Sequence, residues 1–161
     1  MREFASSGSR ASALSLPARI LYTVFAALVL AGCFSCAVIY DSMVHFQARS
    51  TPRELDERLV QHYQRIDYTK LIETTHAHLF IMPILLLVAG HLFLLSSASA
   101  RVKVAAIVAA SVAVVLHLLA PWLIVWSGGA AAGVLVYPIS GGLLLVTTAI
   151  LLVVPVWEMW H

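Results

Sequence analysis

Apolar residues fall in four long runs along the chain: Pro17–Tyr40, Thr74–Ser96, Val102–Trp126 and Ala131–Trp157. A helix that crosses the hydrocarbon of a bilayer needs about 20 such residues, and each run is long enough. The pattern predicts four transmembrane helices making up residues 17–157, between a polar, serine-rich tail over 1–16 and a short tail over 158–161. The first run exceeds the roughly 7–15-residue apolar core of a cleaved secretory signal. No small-residue cleavage site stands out after it, so it reads as an uncleaved first helix, with Pro17 suited to a first helical turn. The links Ser97–Arg101 and Ser127–Ala130 are short, and short links make antiparallel neighbours. The predicted fold is therefore an all-α membrane protein, an up-down bundle of four transmembrane helices. Gly128, Gly129 and Gly133 punctuate the last link. Pro83, Pro121, Pro138 and Pro155 are expected to kink the spans. Gly141 and Gly142 allow a neighbouring backbone to come close.

The connection over 41–73 has a different texture. Arg49, Arg53, Arg58, Arg65 and Lys70 alternate there with Asp41, Glu54, Asp56, Glu57, Asp67 and Glu73. Thr51-Pro52-Arg53-Glu54 is a capping-box pattern with proline at the first helical position. Leu55, Leu59, Val60, Tyr63 and Ile66 then recur at helical spacing. A short amphipathic helix over Pro52–Ile66 is expected, lying on the membrane surface, on a partner or on its own bundle.

Composition agrees with this reading and removes several functions. The chain of 161 residues is 61% hydrophobic and 11% charged, where soluble domains average about 25% charged. Lipid has to be the solvent. A net charge of +2 is too small to suggest nucleic acid. Cys33 and Cys36 lie in one apolar run, so no disulfide framework is expected. The spans carry essentially no acids, which argues against a transporter built on a buried carboxylate. There is no Ser/His/Asp set, phosphate loop or pair of intramembrane carboxylates, and no inverted repeat. Lys and Arg tie between the two sides, with Arg2, Arg10, Arg19, Arg101 and Lys103 on one and the basic residues of the 41–73 connection on the other. Arg19, Arg101 and Lys103 abut helix ends, which favours both termini in the cytoplasm of a bacterial inner membrane. Trp122 and Trp126 would mark the outer interface, Trp157 and Trp160 the inner one.

The candidate chemistry is histidine. His76, His78, His91 and His117 sit inside the apolar runs, and ionisable groups there are rare and default to function. Imidazole is the commonest metal ligand and an axial ligand of haem iron. His76 and His91 are separated by roughly 60° around a helix and about 22 Å along it, so they share a side at different depths. His78 points about 160° from His76. His117, five residues before Trp122, sits roughly 7–8 Å below the aromatic level, where antiparallel packing can bring it level with His78 or His76. Two axial nitrogens from neighbouring helices are what a b-type haem in a bundle requires. The expected ligands are His76, or His78 in its place, and His117. His91 could serve a second haem with a ligand from elsewhere, line a quinone pocket or lie on a proton path. His45, His62 and His161 read as surface residues.

Thr74-Thr75-His76-Ala77, followed by Met82 and an apolar run, resembles the second helix of haem–copper oxidase catalytic subunits. In that family a Thr-x-His-Ala stretch supplies an axial ligand of the low-spin haem, so the resemblance implies that role for His76. It covers about twenty residues. The chain lacks the further helices and copper-site histidines of those enzymes, and in size it resembles the small four-helix b-type cytochrome subunits of quinol-linked complexes. The resulting expectation is a membrane-embedded electron-transfer subunit with haem b. It would link a quinol pool to an exterior redox partner such as a c-type cytochrome, with partner subunits or further copies of itself. It would be an oxidoreductase subunit rather than a complete enzyme. Two other readings use the same histidines. His76, His78 and His117 with Met82 offer a copper site, or the imidazoles make interhelical hydrogen bonds in a cofactor-free structural or assembly subunit.

Overall fold

The computed structural model describes residues 11–45, 68–126 and 131–161, with side chains over 11–38, 68–126 and 135–161. The expected amphipathic helix over Pro52–Ile66, its capping box, His62 and the Ser127–Ala130 link lie outside the described residues. After a short 3-10 turn at Ala11–Ala13 come α1 (Leu16–His45), α2 (Tyr68–Leu94), α3 (Ala100–Trp126) and α4 (Ala131–Trp160). All four contain a stretch long and apolar enough to cross a membrane. The chain is an all-α integral membrane protein folded as a four-helix bundle.

Local chemistry sets the helix starts. Ser15 precedes α1 and accepts the amide of Arg19 at 3.0 Å, and Pro17 occupies the first turn, where its missing N–H is not needed. Ser99 precedes α3 and accepts the amides of Lys103 (3.0 Å) through its carbonyl and Val102 (3.4 Å) through its hydroxyl, as an N-cap does. Helices run past the apolar spans that sequence marks, α4 among them, which continues beyond Trp157 through Glu158 to Trp160. α1 continues through Asp41 to His45, and α2 already begins at Tyr68, before Lys70 and Glu73. Charged residues do not break a helix; they mark where hydrocarbon ends.

Inside a bilayer, burying leucine against leucine gains little over leaving it in lipid, so close packing and hydrogen bonds hold helices together. Leu28, Phe34, Leu87, Ile139 and other large apolar side chains accordingly face outward. The buried positions include many small ones, Ala26, Ala89, Ala110, Ala113 and Ala120. α4 is the central helix: it packs on α1, α2 and α3, and α2 also packs on α3. α1 is peripheral, with 6% of its span buried against 33% for α4.

The alternating topology gives the bundle two ends. One holds the α2–α3 link and the C-terminus of α4. Here Phe93, Leu92, Leu151, Leu152 and Met159 are buried together with Ala11. Glu158 accepts the Ser97 amide at 2.6 Å and the Ser97 hydroxyl at 2.7 Å. Lys103 donates to the Leu94 carbonyl at 2.8 Å, closing the C-terminus of α2. The Ala11 amide reaches the Leu95 carbonyl at 2.8 Å, and Arg19 holds the carbonyls of Leu14 (2.9 Å) and Ser12 (2.6 Å). Trp160 donates to Thr23 at 3.0 Å and ties α4 to α1. The other end carries Tyr68, Trp122 and Trp126. Trp126, Trp157 and Trp160 are exposed, at opposite ends of the bundle, in the arrangement of interfacial aromatic belts.

Candidate functional site

At the Trp122 end, three helices contribute to one polar region. α2 and α3 meet through Trp122, whose indole N–H donates to the Thr75 hydroxyl at 2.9 Å. Thr75 in turn donates to the Leu71 carbonyl at 2.7 Å. Tyr68 stands edge-on to Trp122 with ring centroids 5.9 Å apart, and Trp126 follows at 5.6 Å. Deeper along α3 comes His117, half-buried.

The His117 ring lies against α4. It stacks on Tyr137 with centroids 4.9 Å apart and an interplanar angle of 29°. Its Nδ1 is 3.2 Å from Ser140 Oγ, and Ser140 is 1% exposed. The ring packs close to the backbone at Gly141, where a Cβ would lie in van der Waals contact, 3.5 Å from His117 Cε1 and 3.7 Å from Nδ1. A branched side chain would drive the ring away. The Ser140 hydroxyl donates to the Tyr137 carbonyl at 2.9 Å. Its proton is thereby committed, so in the Ser140 contact the His117 Nδ1–H is the donor. The neutral ring then carries its lone pair on Nε2.

His78, half-buried on α2, repeats this arrangement. Its Nδ1 is 2.7 Å from the Thr74 carbonyl oxygen. A carbonyl only accepts, so Nδ1 bears the proton and Nε2 again keeps the lone pair.

The other candidates are placed differently. His76 is exposed and meets Phe80 edge-on at 5.0 Å. His91 is exposed too, in the half of α2 that ends at Leu94. The side that His76 and His91 share is thus an exposed face of α2. His161 stacks on Trp157 at 4.0 Å and contacts its carbonyl at 3.1 Å. His45 is the last residue of α1. Among the described residues no three His, Cys, Asp or Glu side chains gather around a point that could hold a metal ion.

Sequence reasoning did not single out Ser140, Tyr137 or Thr75. The Gly141–Gly142 pair signals a close approach, and the hydroxyl directly before it was the available clue. The neighbour that makes the approach is a matter of tertiary packing.

No curated protein and no solved structure matches the chain. A family model, the transmembrane helical domain Aq_1264_TM, matches residues 56–161. That stretch holds α2, α3 and α4, and with them both His78 and His117, and leaves out α1. The match covers more than half of the chain, so the protein belongs to the Aq_1264_TM family of transmembrane helical domains.

Proposed function

We propose that the Trp122 end is a two-imidazole centre that holds the iron of a b-type haem, with His78 and His117 as axial ligands, in a membrane electron-transfer subunit. One observation carries this reading. Both rings commit Nδ1–H to a protein acceptor, Thr74 O and Ser140 Oγ, which leaves Nε2 as the free lone pair. Metal-ligating histidines are oriented in this way, the second nitrogen donating to a carbonyl or similar acceptor that fixes tautomer and ring plane. His78 suits the α2 ligand better than His76, because His78 is half-buried with its Nδ1 anchored on the Thr74 carbonyl, whereas His76 is exposed and meets Phe80. Haem between α2 and α3 would supply one-electron chemistry. The protein's part is ligand orientation, a low-dielectric surround and exclusion of water.

Arg19, Arg101 and Lys103 cluster at the Glu158 end, which supports that end on the cytoplasmic side of a bacterial inner membrane and both termini with it. The haem would then lie nearer the outer face, placed to pass electrons from membrane quinol to an exterior partner such as a c-type cytochrome. His91 lies on the exposed face of α2, where a second subunit would meet it.

A second reading rests on the same contacts. His117 is already satisfied by Ser140 and Tyr137, which also suits a cofactor-free subunit in which it fastens α3 to α4. A reduced-minus-oxidised visible spectrum and a pyridine haemochrome assay of the detergent-purified protein, expressed with ample haem, separate the two. The haem reading expects b-type Soret and α-bands at about one haem per chain. A flat spectrum rejects it in favour of the fastening role.

A further inference from the structure

Cys33 and Cys36 are absorbed by neither reading. They lie on α1, outside the region matched by the family model. If they were packing residues they would be buried, yet Cys36 is exposed and Cys33 is only half-buried. Cys33 and Cys36 are three residues apart on one helix, so the two thiols are neighbours on one face. The space beside them is open: a Cβ built on Gly32, one turn before Cys36, meets nothing within 4 Å.

Magnitudes decide what such a pair can do. Helix neighbours at this spacing have Cβ atoms about 5–6 Å apart. A disulfide needs Cβ atoms roughly 3.5–4.5 Å apart, so the helix holds the thiols too far apart for an S–S bond. A bridging metal ion is different. Two metal–sulfur bonds of about 2.3 Å span up to roughly 4.6 Å when collinear, a separation that rotamers of this pair can meet. We propose that Cys33 and Cys36 form a dithiol site for a soft, two-coordinate metal ion of the Cu(I) class, which thiolates select over harder ions.

Binding breaks two S–H bonds, forms two S–metal bonds and releases two protons, and no electron is transferred. A monovalent ion between two thiolates leaves one net negative charge, which mid-bilayer hydrocarbon would disfavour. The position on α1 eases this. Asp41 is the first charged residue after Arg19, and Cys36 lies roughly 7–8 Å below it along the axis. By the same count Cys33 lies about 12 Å below Asp41, so Cys36 is the thiol nearer the polar rim.

The test is an anaerobic titration of the reduced, detergent-purified full chain with Cu(I) held by a chromophoric chelator. Wild type should withdraw one copper per chain. Cys33→Ser and Cys36→Ser should each weaken binding by more than about tenfold, since even outer-shell partners of a metal are worth roughly 10–100-fold. His78→Ala should leave the copper affinity unchanged. The proposal is overturned if wild type withdraws no copper, or if either cysteine variant binds as tightly as wild type. Loss of copper in His78→Ala with retention in both serine variants would place the ion at the imidazoles instead. Haem content measured on the same samples reports the imidazole centre separately, so failure of one site is not read as failure of the other.

Discussion

The two ends of the bundle are built from different materials. At the Glu158 end, Phe93, Leu92, Leu151, Leu152 and Met159 are almost fully buried, and the polar contacts there close helix ends and links. Every group in those contacts ends a helix or joins two. At the Trp122 end, α2 and α3 meet through the hydrogen bond from Trp122 to Thr75 and the edge-on contact of Tyr68 with Trp122, and the polar groups beneath them are imidazoles. Their Nδ1 atoms are anchored and their Nε2 atoms are not committed by those anchors. The contrast is one of roles: one end closes helices and links, and the other carries the two imidazoles.

Substitutions on the two sides should therefore separate stability from cofactor content. The largest loss of stability is expected from Phe93→Ala. Lipid is as good a solvent for phenyl as the core, so the cavity is the main term. At about 24 cal/mol per Å³, roughly 100 Å³ of lost side chain comes to about 2–3 kcal/mol. Unfolding in mixed detergent should show that loss while haem per folded chain stays as in wild type. Glu158→Ala should follow at about 1–2 kcal/mol, below the upper range for a charge-assisted pair because water reaches the rim. Faster proteolysis of the α2–α3 link would report it. Ser140→Ala should be mildest in stability, about 0.6 kcal/mol for an interhelical hydrogen bond. It frees the His117 ring, so it should shift the haem midpoint potential or broaden the spectrum. A Phe93→Ala protein that lost haem in proportion to stability would break the division between the ends.

Much of the architecture was legible in the sequence, and the reasons are physical. Hydrocarbon demands about 20 apolar residues in a row, so the four spans announce themselves. Hydropathy marks the limits of lipid rather than of the helix, which is why α1 runs past Tyr40 to His45 and α2 starts at Tyr68 rather than Thr74. The angular count put His76 and His78 on nearly opposite sides of α2. It could not choose the side that faces the bundle, because that depends on where α3 and α4 lie. The structure turns His76 and His91 outward and leaves His78 and His117 half-buried. The spacing rule therefore gave the relation among the imidazoles, and packing gave its direction. Ser140 was out of reach for the same reason: its partner is twenty-three residues away, on another helix.

The measurement that tests the central claim most directly is haem per chain in His78→Ala beside His76→Ala, each purified from haem-replete cells and assayed as the pyridine haemochrome. The account predicts that His78→Ala loses the b-type spectrum and that His76→Ala keeps it at the wild-type level. A His78→Ala protein with a full complement of haem, or a His76→Ala protein without it, would contradict the pairing of His78 with His117.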